Sequence, residues 1–342
     1  MKIAITGVSG TFGAALLRRL LADPTNDRVV GIARNEHALA ALAAAFAEAP
    51  AIKLMIGDVR DRDRLTRAFW GCDAVVHAAA LKRVDVGAYN PDEVRKTNVE
   101  GSANVIAAAV SAGVGRVLML SSDKAVEPAS GNVYGASKAQ MEAEAIASNA
   151  WAYPRGTKIT CTRWGNVAGS RGSAILAFLA CAARKEPPTV TDQACTRFWL
   201  SVGTATAFVL EVLREMRGGE VMIPIQPSAK VIDVARWLTS AAHVFVRGLR
   251  PGGEKVHETL VSRSEGPRTV PYGVWLGSSA RPGWIVNPSP HPWRKDPPWG
   301  GMPFPEGAAY TSDTNDWWLT RDDVLALVES VKEEEAWRRR IG

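Results

Sequence analysis

Residues 121–138 read SSDKAVEPASGNVYGASK, and several of these side chains are suited to work on an alcohol-bearing carbon. Tyr134 and Lys138 stand four apart, the spacing that puts two side chains on one face of a helix. A free phenol ionises near pH 10 and is a poor base at neutrality; a nearby ammonium and an oxidised nicotinamide both favour the phenolate. Tyr134 can then take the proton of a hydroxyl whose carbon gives up hydride. Lys138 can hold the nicotinamide ribose, and Ser122 can orient the same alcohol. A Tyr-x-x-x-Lys pair alone is common by chance on a surface helix, so its weight comes from the serine at a strand end and from the glycine-rich turn described next. Asp123 and Lys124 precede Tyr134 by eleven and ten residues. An acid and an amine side by side exceed what alcohol oxidation requires. Read from the residues alone, they suit a solvated turn as well as they suit catalysis.

The stretch TGVSGTFG at 6–13 holds Gly7, Ser9, Gly10, Thr11, Phe12 and Gly13 between an opening strand and a helix. Gly7 permits the tight turn, Gly10 the approach of a pyrophosphate, and Gly13 close helix–strand packing, with the helix N-terminus facing the phosphates. The ordinary-turn alternative is weakened by that strand–turn–helix context. Where a carboxylate usually holds an unphosphorylated ribose, this chain has Arg34, which can pair with a 2′-phosphate. NADP is therefore expected over NAD. Asp58, followed by Val59, ends the third strand and can accept from an adenine amine. Ala78 and Ala79 leave room for the cofactor at the end of the fourth strand. His77 beside them suits the core as well as a site and is assigned no chemistry.

The elements that must position these groups alternate at short spacing. Apolar strands are predicted at 2–6, 28–34, 51–59, 73–80, 116–122 and 157–164. Helices are predicted at 14–22, 36–49, 61–70, 98–113, 134–149 and 320–340. Strands that are apolar throughout belong to a parallel sheet covered on both faces. The fold class expected is α/β, a Rossmann-type doubly wound parallel sheet with a smaller interleaved substrate domain. Residues 1–165 form the cofactor domain, with parts of 190–225 returning to it, and 166–342 mainly the substrate domain. The segment 264–318, rich in Pro, Gly, Ser and Trp, reads as a long loop region.

With 342 residues and 46% apolar content the chain can build a large core. A formal charge of +6 suits an anionic small substrate as well as a merely soluble surface. Charges are scattered apart from short clusters such as WRRR at 337–340, and there is no finger spacing, so no nucleic-acid partner is expected. Cys72, Cys161, Cys181 and Cys195 form no CxxC, which suggests reduced thiols in a cytoplasmic protein. No metal is expected. No apolar run reaches the length of a membrane span, and the opening MKIAITG has no signal-peptide pattern.

The motifs TGVSGTFG, GDVRD, HAAALKRV, NPDEVRKTNVEG, SSDKAVEP, YGASKAQME, RWGNVAGSRGSA, TDQACTRFWLS, MRGGEVMIP, RPGGEKVHE and SDTNDWWLT run in order along the chain. In this set the chain resembles the extended short-chain dehydrogenase/reductase family, and within it the inverting 4,6-dehydratases of UDP-N-acetylglucosamine. The resemblance implies oxidation at C4 of the sugar, removal of the C5 proton by Lys124, protonation of the departing C6 hydroxyl by Asp123, hydride return to C6, and reprotonation of C5 on the other face. It implies a UDP-sugar substrate and a homo-oligomer, while the short apolar runs imply no membrane insertion. It also implies substrate-binding roles for Lys82, Asn166, Arg171, Arg250 and Glu254, with Arg197 on the diphosphate. Elimination needs an acid and a base near adjacent carbons, which gives the Asp-Lys pair its reason. The rivals are a 4-epimerase, which needs no such pair, a retaining dehydratase, often marked by Asp-Glu at that place, and a nucleotide-binding regulator without turnover. Three departures stand out: Ser121-Ser122 replaces the usual Ser-Thr, PASGN before Tyr134 is two residues longer, and RPGGE carries an extra glycine.

Overall fold

The computed structural model describes residues 1–273, 283–290, 294 and 297–340. Six parallel strands form its spine: β1 (Lys2–Thr6), β2 (Arg28–Ala33), β3 (Ile52–Ile56), β4 (Ala74–His77), β5 (Arg116–Leu120) and β6 (Lys158–Thr162). Their spatial order, β3-β2-β1-β4-β5-β6, is that of a doubly wound dinucleotide fold, and it reverses direction between β1 and β4. Val30, Val75 and Val117 are buried on one face of the sheet, and Ile3, Ile5 and Leu118 on the other. Burial on both faces is the reason the strand sequences carry no polar alternation.

Each predicted helix is present. Helix α1 (Thr11–Leu21) follows the glycine-rich turn, and Val133–Ala152 carries Tyr134 and Lys138. Beyond Pro91 the chain is helical to Ser111, with a π-turn at Lys96–Glu100; such one-turn bulges often mark functional sites. The C-terminal helix Arg321–Arg340 packs back on the cofactor half: Arg18 pairs with Glu334 at 2.6 Å and stacks on Trp337 at 4.4 Å.

The reading of 264–318 as loop is corrected. Val221–Ile223 extends the sheet in parallel beside β6, then Gly283–Val286 and Thr269–Tyr272 add two antiparallel strands at its edge. Pro271 sits in the outermost of these strands, where its missing donor breaks no ladder. The sequence signal was masked by Pro and Gly, and the stretches 274–282, 291–293 and 295–296 lie outside the described residues. The same segment is locked to the core by Arg163. Its guanidinium reaches Glu142 at 2.5 Å and Glu265 at 3.0 Å and donates to the Leu260 carbonyl at 2.8 Å, all largely buried. A three-stranded sheet, Ser228–Lys230, Thr196–Leu200 and Asn166–Val167, forms the heart of the smaller half.

Candidate active site

A cleft of about 530 Å³ opens at the C-terminal ends of the parallel strands and runs into the smaller half. This is the crevice where open α/β sheets bind ligands. At its inner end the glycine-rich turn forms a cradle in which no side chain fits. A Cβ on Gly7 would stand 2.8 Å from Ala79 Cα, and one on Gly13 2.3 Å from the Gly7 carbonyl. Gly10 caps α1 without any side-chain bond, which leaves the first-turn amides facing the cleft for an anion. Phe12 packs on Trp164 at 5.6 Å between ring centres. These features fit a dinucleotide pyrophosphate. His77 bonds Thr6 Oγ1 at 2.7 Å and Ser102 Oγ at 2.9 Å; burial holds its pKa down at about 3, so it is a neutral core side chain.

The reacting cluster is built where β5 ends. Ser122 Oγ donates to Asp123 Oδ1 at 2.8 Å, and Lys124 Nζ donates to the same oxygen at 3.1 Å. Lys124 Nζ also lies 3.3 Å from Glu258 Oε1 and 3.4 Å from Asn166 Oδ1. The amine is thus turned inward and lines the cleft together with Ser122, Tyr134 and Lys138. Asp123 has no exposed surface, and its Oδ2 has no hydrogen-bond partner among the described residues. Burial pushes the Asp123 carboxyl up, against the pull of Lys124. Burial pulls the Lys124 amine down, but the Asp123 and Glu258 carboxylates outweigh it and raise the amine above its ordinary value. Burial pushes Tyr134 up to about 12, while the Lys124 charge acts the other way. Lys138 donates to the Leu120 carbonyl at 2.7 Å, and burial lowers it to about 8. The cation that acts on the Tyr134 phenol in this arrangement is therefore Lys124.

The longer connection before Tyr134 does not push the amine away. Residues 127–131 bulge outward, and Asn132 closes the loop by accepting from the Gly135 amide at 2.8 Å and donating to the Gly253 carbonyl at 3.1 Å. Gly253, in the stretch with the extra glycine, has φ +86°, and a Cβ there would stand 2.4 Å from the Ser130 carbonyl. The two departures from the family pattern thus meet: the added glycine makes room for the added loop.

The other expected residues fall into two groups. Lys82, Asn166, Arg171, Arg197, Arg250 and Glu254 line the cleft. Burial lowers the Lys82 amine, and the charge of Arg171 adds to it. Arg171 donates to the Ser9 carbonyl at 3.2 Å, and its amide bonds Thr11 Oγ1 at 3.3 Å, so it bridges the glycine-rich turn to the smaller half. Arg250 is largely exposed, 3.8 Å from Glu254. Arg197 differs from expectation. Only 5% exposed, it donates to the Thr196 and Val256 carbonyls at 2.7 and 2.9 Å, to Glu254 at 2.8 Å and to the Lys255 carbonyl at 3.0 Å. With these donors engaged it supports the cleft wall. Val59 also departs from expectation, because its side chain is buried in the core under Gly101. Arg34 and Asp58 face each other at 3.8 Å on the surface, outside the cleft.

Two residues escaped the sequence reading although both lie in quoted motifs. Asn98, in the π-turn, grips both backbone groups of Leu81 at 2.8 Å and donates to Ser137 at 3.0 Å, which fixes the segment carrying Lys82. Glu258 closes the motif RPGGEKVHE. A lone acid at the end of a motif gave no spacing signal, since its partner Lys124 is 134 positions away in the chain.

The pattern of the family described as "Polysaccharide biosynthesis protein" matches residues 3–276, and the chain belongs to that family. It is an enzyme of the nucleotide-sugar dehydratase and epimerase class. A Campylobacter jejuni protein named UDP-N-acetylglucosamine 4,6-dehydratase (inverting) is 36% identical over 336 residues, covering 96% of this chain and 97% of that one. The structure of Pen from Bacillus thuringiensis has a TM-score of 0.82 at 29% identity, covering 96% and 98%. DesIV, a dTDP-glucose 4,6-dehydratase from Streptomyces venezuelae solved with NAD bound, has a TM-score of 0.66 at 26% identity, covering 74% and 86%. The expectation of NADP is corrected by that finding. Arg34, the residue that carried the expectation, lies on the surface 3.8 Å from the Asp58 carboxylate.

Proposed function

We propose that this chain converts UDP-N-acetylglucosamine to a UDP-4-keto-6-deoxyhexosamine with inversion at C5, with NAD as its cofactor. The observation that carries the reading is the inward amine of Lys124, hydrogen-bonded to Asp123 at 3.1 Å in the cleft that also holds Tyr134. Gly7, Gly10, Gly13 and the α1 N-terminus would hold the pyrophosphate of NAD. When bound, NAD supplies the redox chemistry, accepting hydride from C4 and returning it to C6. Tyr134 takes the C4 hydroxyl proton, and the Lys124 charge stabilises its phenolate.

The C4 carbonyl acidifies the C5 proton. Lys124 must be neutral to remove it, and Asp123 must carry a proton to release the C6 hydroxyl as water. One proton moved across the 3.1 Å bond from Nζ to the carboxylate produces both conditions. Burial favours that transfer by raising the acid, whereas at the amine the Asp123 and Glu258 carboxylates outweigh burial and oppose it, so the pair rests in its ionic form and the proton moves only in the reacting complex. Elimination returns the pair to its ionic form, with the C5 proton on Lys124 and the Asp123 proton in the water released. Arg250 and Lys82, both exposed at the cleft mouth, supply positive charge toward the UDP diphosphate.

The test is incubation of the purified protein with NAD and UDP-N-acetylglucosamine. Mass spectrometry is expected to show a product lighter by one water. An isomer of unchanged mass, the product of a 4-epimerase, would overturn the reading.

A further inference from the structure

Glu258 has no part in the steps above, yet it is buried against the reacting pair. It is 2% exposed. Its amide accepts no freedom: the nitrogen donates to Ser312 Oγ at 2.9 Å, and its carbonyl takes the Ser312 amide at 2.8 Å. Its Oε1 stands 3.3 Å from Lys124 Nζ and 3.7 Å from Arg197 Nε, and its Oε2 is 3.7 Å from Lys255 Nζ with no hydrogen bond among the described residues. Lys255 is itself anchored on the Val126 carbonyl at 2.6 Å, two residues beyond Lys124.

Lys124 is thus gripped between two buried carboxylates of unlike surroundings. Asp123 has Ser122 and Lys124 as partners, whereas Glu258 has three cations within 4 Å. Two carboxylates that share one ammonium do not keep equal charge; the one with more cations stays ionised. The shifts agree: burial pushes both acids up, but Lys124, Arg197 and Lys255 bring Glu258 below its ordinary value, while Asp123 stays raised.

We infer that Glu258 is a positioning residue of the dehydration. Its permanent carboxylate aims the Lys124 amine at the sugar and keeps a single proton on the Asp123–Lys124 pair. This rests on the reading of the site as a dehydratase. The active form of the pair carries one proton, so turnover falls on the acid side when the pair gains a second and on the alkaline side when it loses the first. The Glu258 charge raises both steps. The other charged groups around it are Arg197, with Glu254 behind it, and Lys255; Tyr134 and Lys82 are influenced by Lys124.

The experiment is the pH profile of kcat for water loss from UDP-N-acetylglucosamine by wild type, Glu258→Gln and Lys255→Met. Removal of an anion about 3 Å from the pair is expected to move both limbs to lower pH by about one unit. Removal of the Lys255 cation moves them to higher pH by a smaller step. A Glu258→Gln protein that folds and loses rate with both limbs in place overturns the inference, because a merely structural acid would behave so. If Glu258→Gln does not fold, the Lys255→Met profile decides: an alkaline displacement supports the inference and an unmoved profile overturns it. A wild-type protein that releases no water would overturn the dehydratase reading instead, and the two failures are therefore distinct.

Discussion

At the scale of single residues, the site is assembled from charges placed where water is scarce. Lys138 shows the cost. Burial lowers its folded-state pKa to about 8 from an ordinary 10.5. Between those values the unfolded chain binds a proton that the folded chain does not, so stability rises with pH across that window. Below pH 8 the whole penalty is present, roughly 3 kcal/mol before the bond to Leu120 offsets part of it. Lys138→Met should therefore abolish turnover without lowering the melting temperature at pH 7. The gap between wild type and variant should move in favour of wild type as pH rises from 8 to 10.5. Melting curves across that range check this, and parallel curves would contradict it. Lys124→Ala should still fold and bind NAD, measurable by calorimetry, while water loss falls by at least about a hundredfold, the usual contribution of a general base. Normal dehydration by that variant would remove Lys124 from the mechanism.

At the scale of elements, the loop from Glu127 to Gly131 and the turn at Gly252–Gly253 behave as one unit. Both were visible in the sequence as departures from the family pattern, yet nothing in the chain order says that they touch. Residue spacing reports neighbours along a helix or strand, and these two segments are more than a hundred positions apart. Gly253→Ala places a methyl group 2.4 Å from the Ser130 carbonyl at a φ of +86°. The expected loss is about 1–3 kcal/mol, read as a lower urea midpoint, and a larger relative loss of activity because Asn132 is dragged from the N-terminus of the catalytic helix. A variant with unchanged midpoint and rate would show that the two segments are not mutually constrained. The parallel strands and their helices were legible because burial on both faces leaves an unbroken apolar record. The edge strands within 264–318 were not, since a Pro and flanking glycines give the same letters as a loop. The glycine turn, Tyr134 and Lys124 were legible as local motifs, whereas Arg197's engagement with backbone carbonyls and the inward acid Glu258 depend on contacts across the fold.

At the scale of the whole molecule, the edge-strand segment is tied to the parallel core by buried charge as well as by apolar packing. Arg163 leaves β6 and holds Glu142 from the catalytic helix and Glu265 from the edge-strand segment at once. Arg163→Met would leave the buried Glu142 carboxylate without its ion-pair partner and Glu265 with only Arg268, at 3.9 Å, an arrangement that costs about 3–5 kcal/mol. Urea denaturation should show that loss, partly recovered in acid as the carboxylates protonate; a variant as stable as wild type at pH 7 would contradict it. No helix among the described residues is long and apolar enough to cross a membrane. The cleft between the halves sets the Lys124 amine and the Tyr134 phenol before one ligand, and the whole account turns on what that amine does. The most direct measurement is proton NMR of the product formed from UDP-N-acetylglucosamine in heavy water. The account predicts loss of water with deuterium at C5 and the C5 configuration inverted; a product that retains the original C5 proton would contradict it.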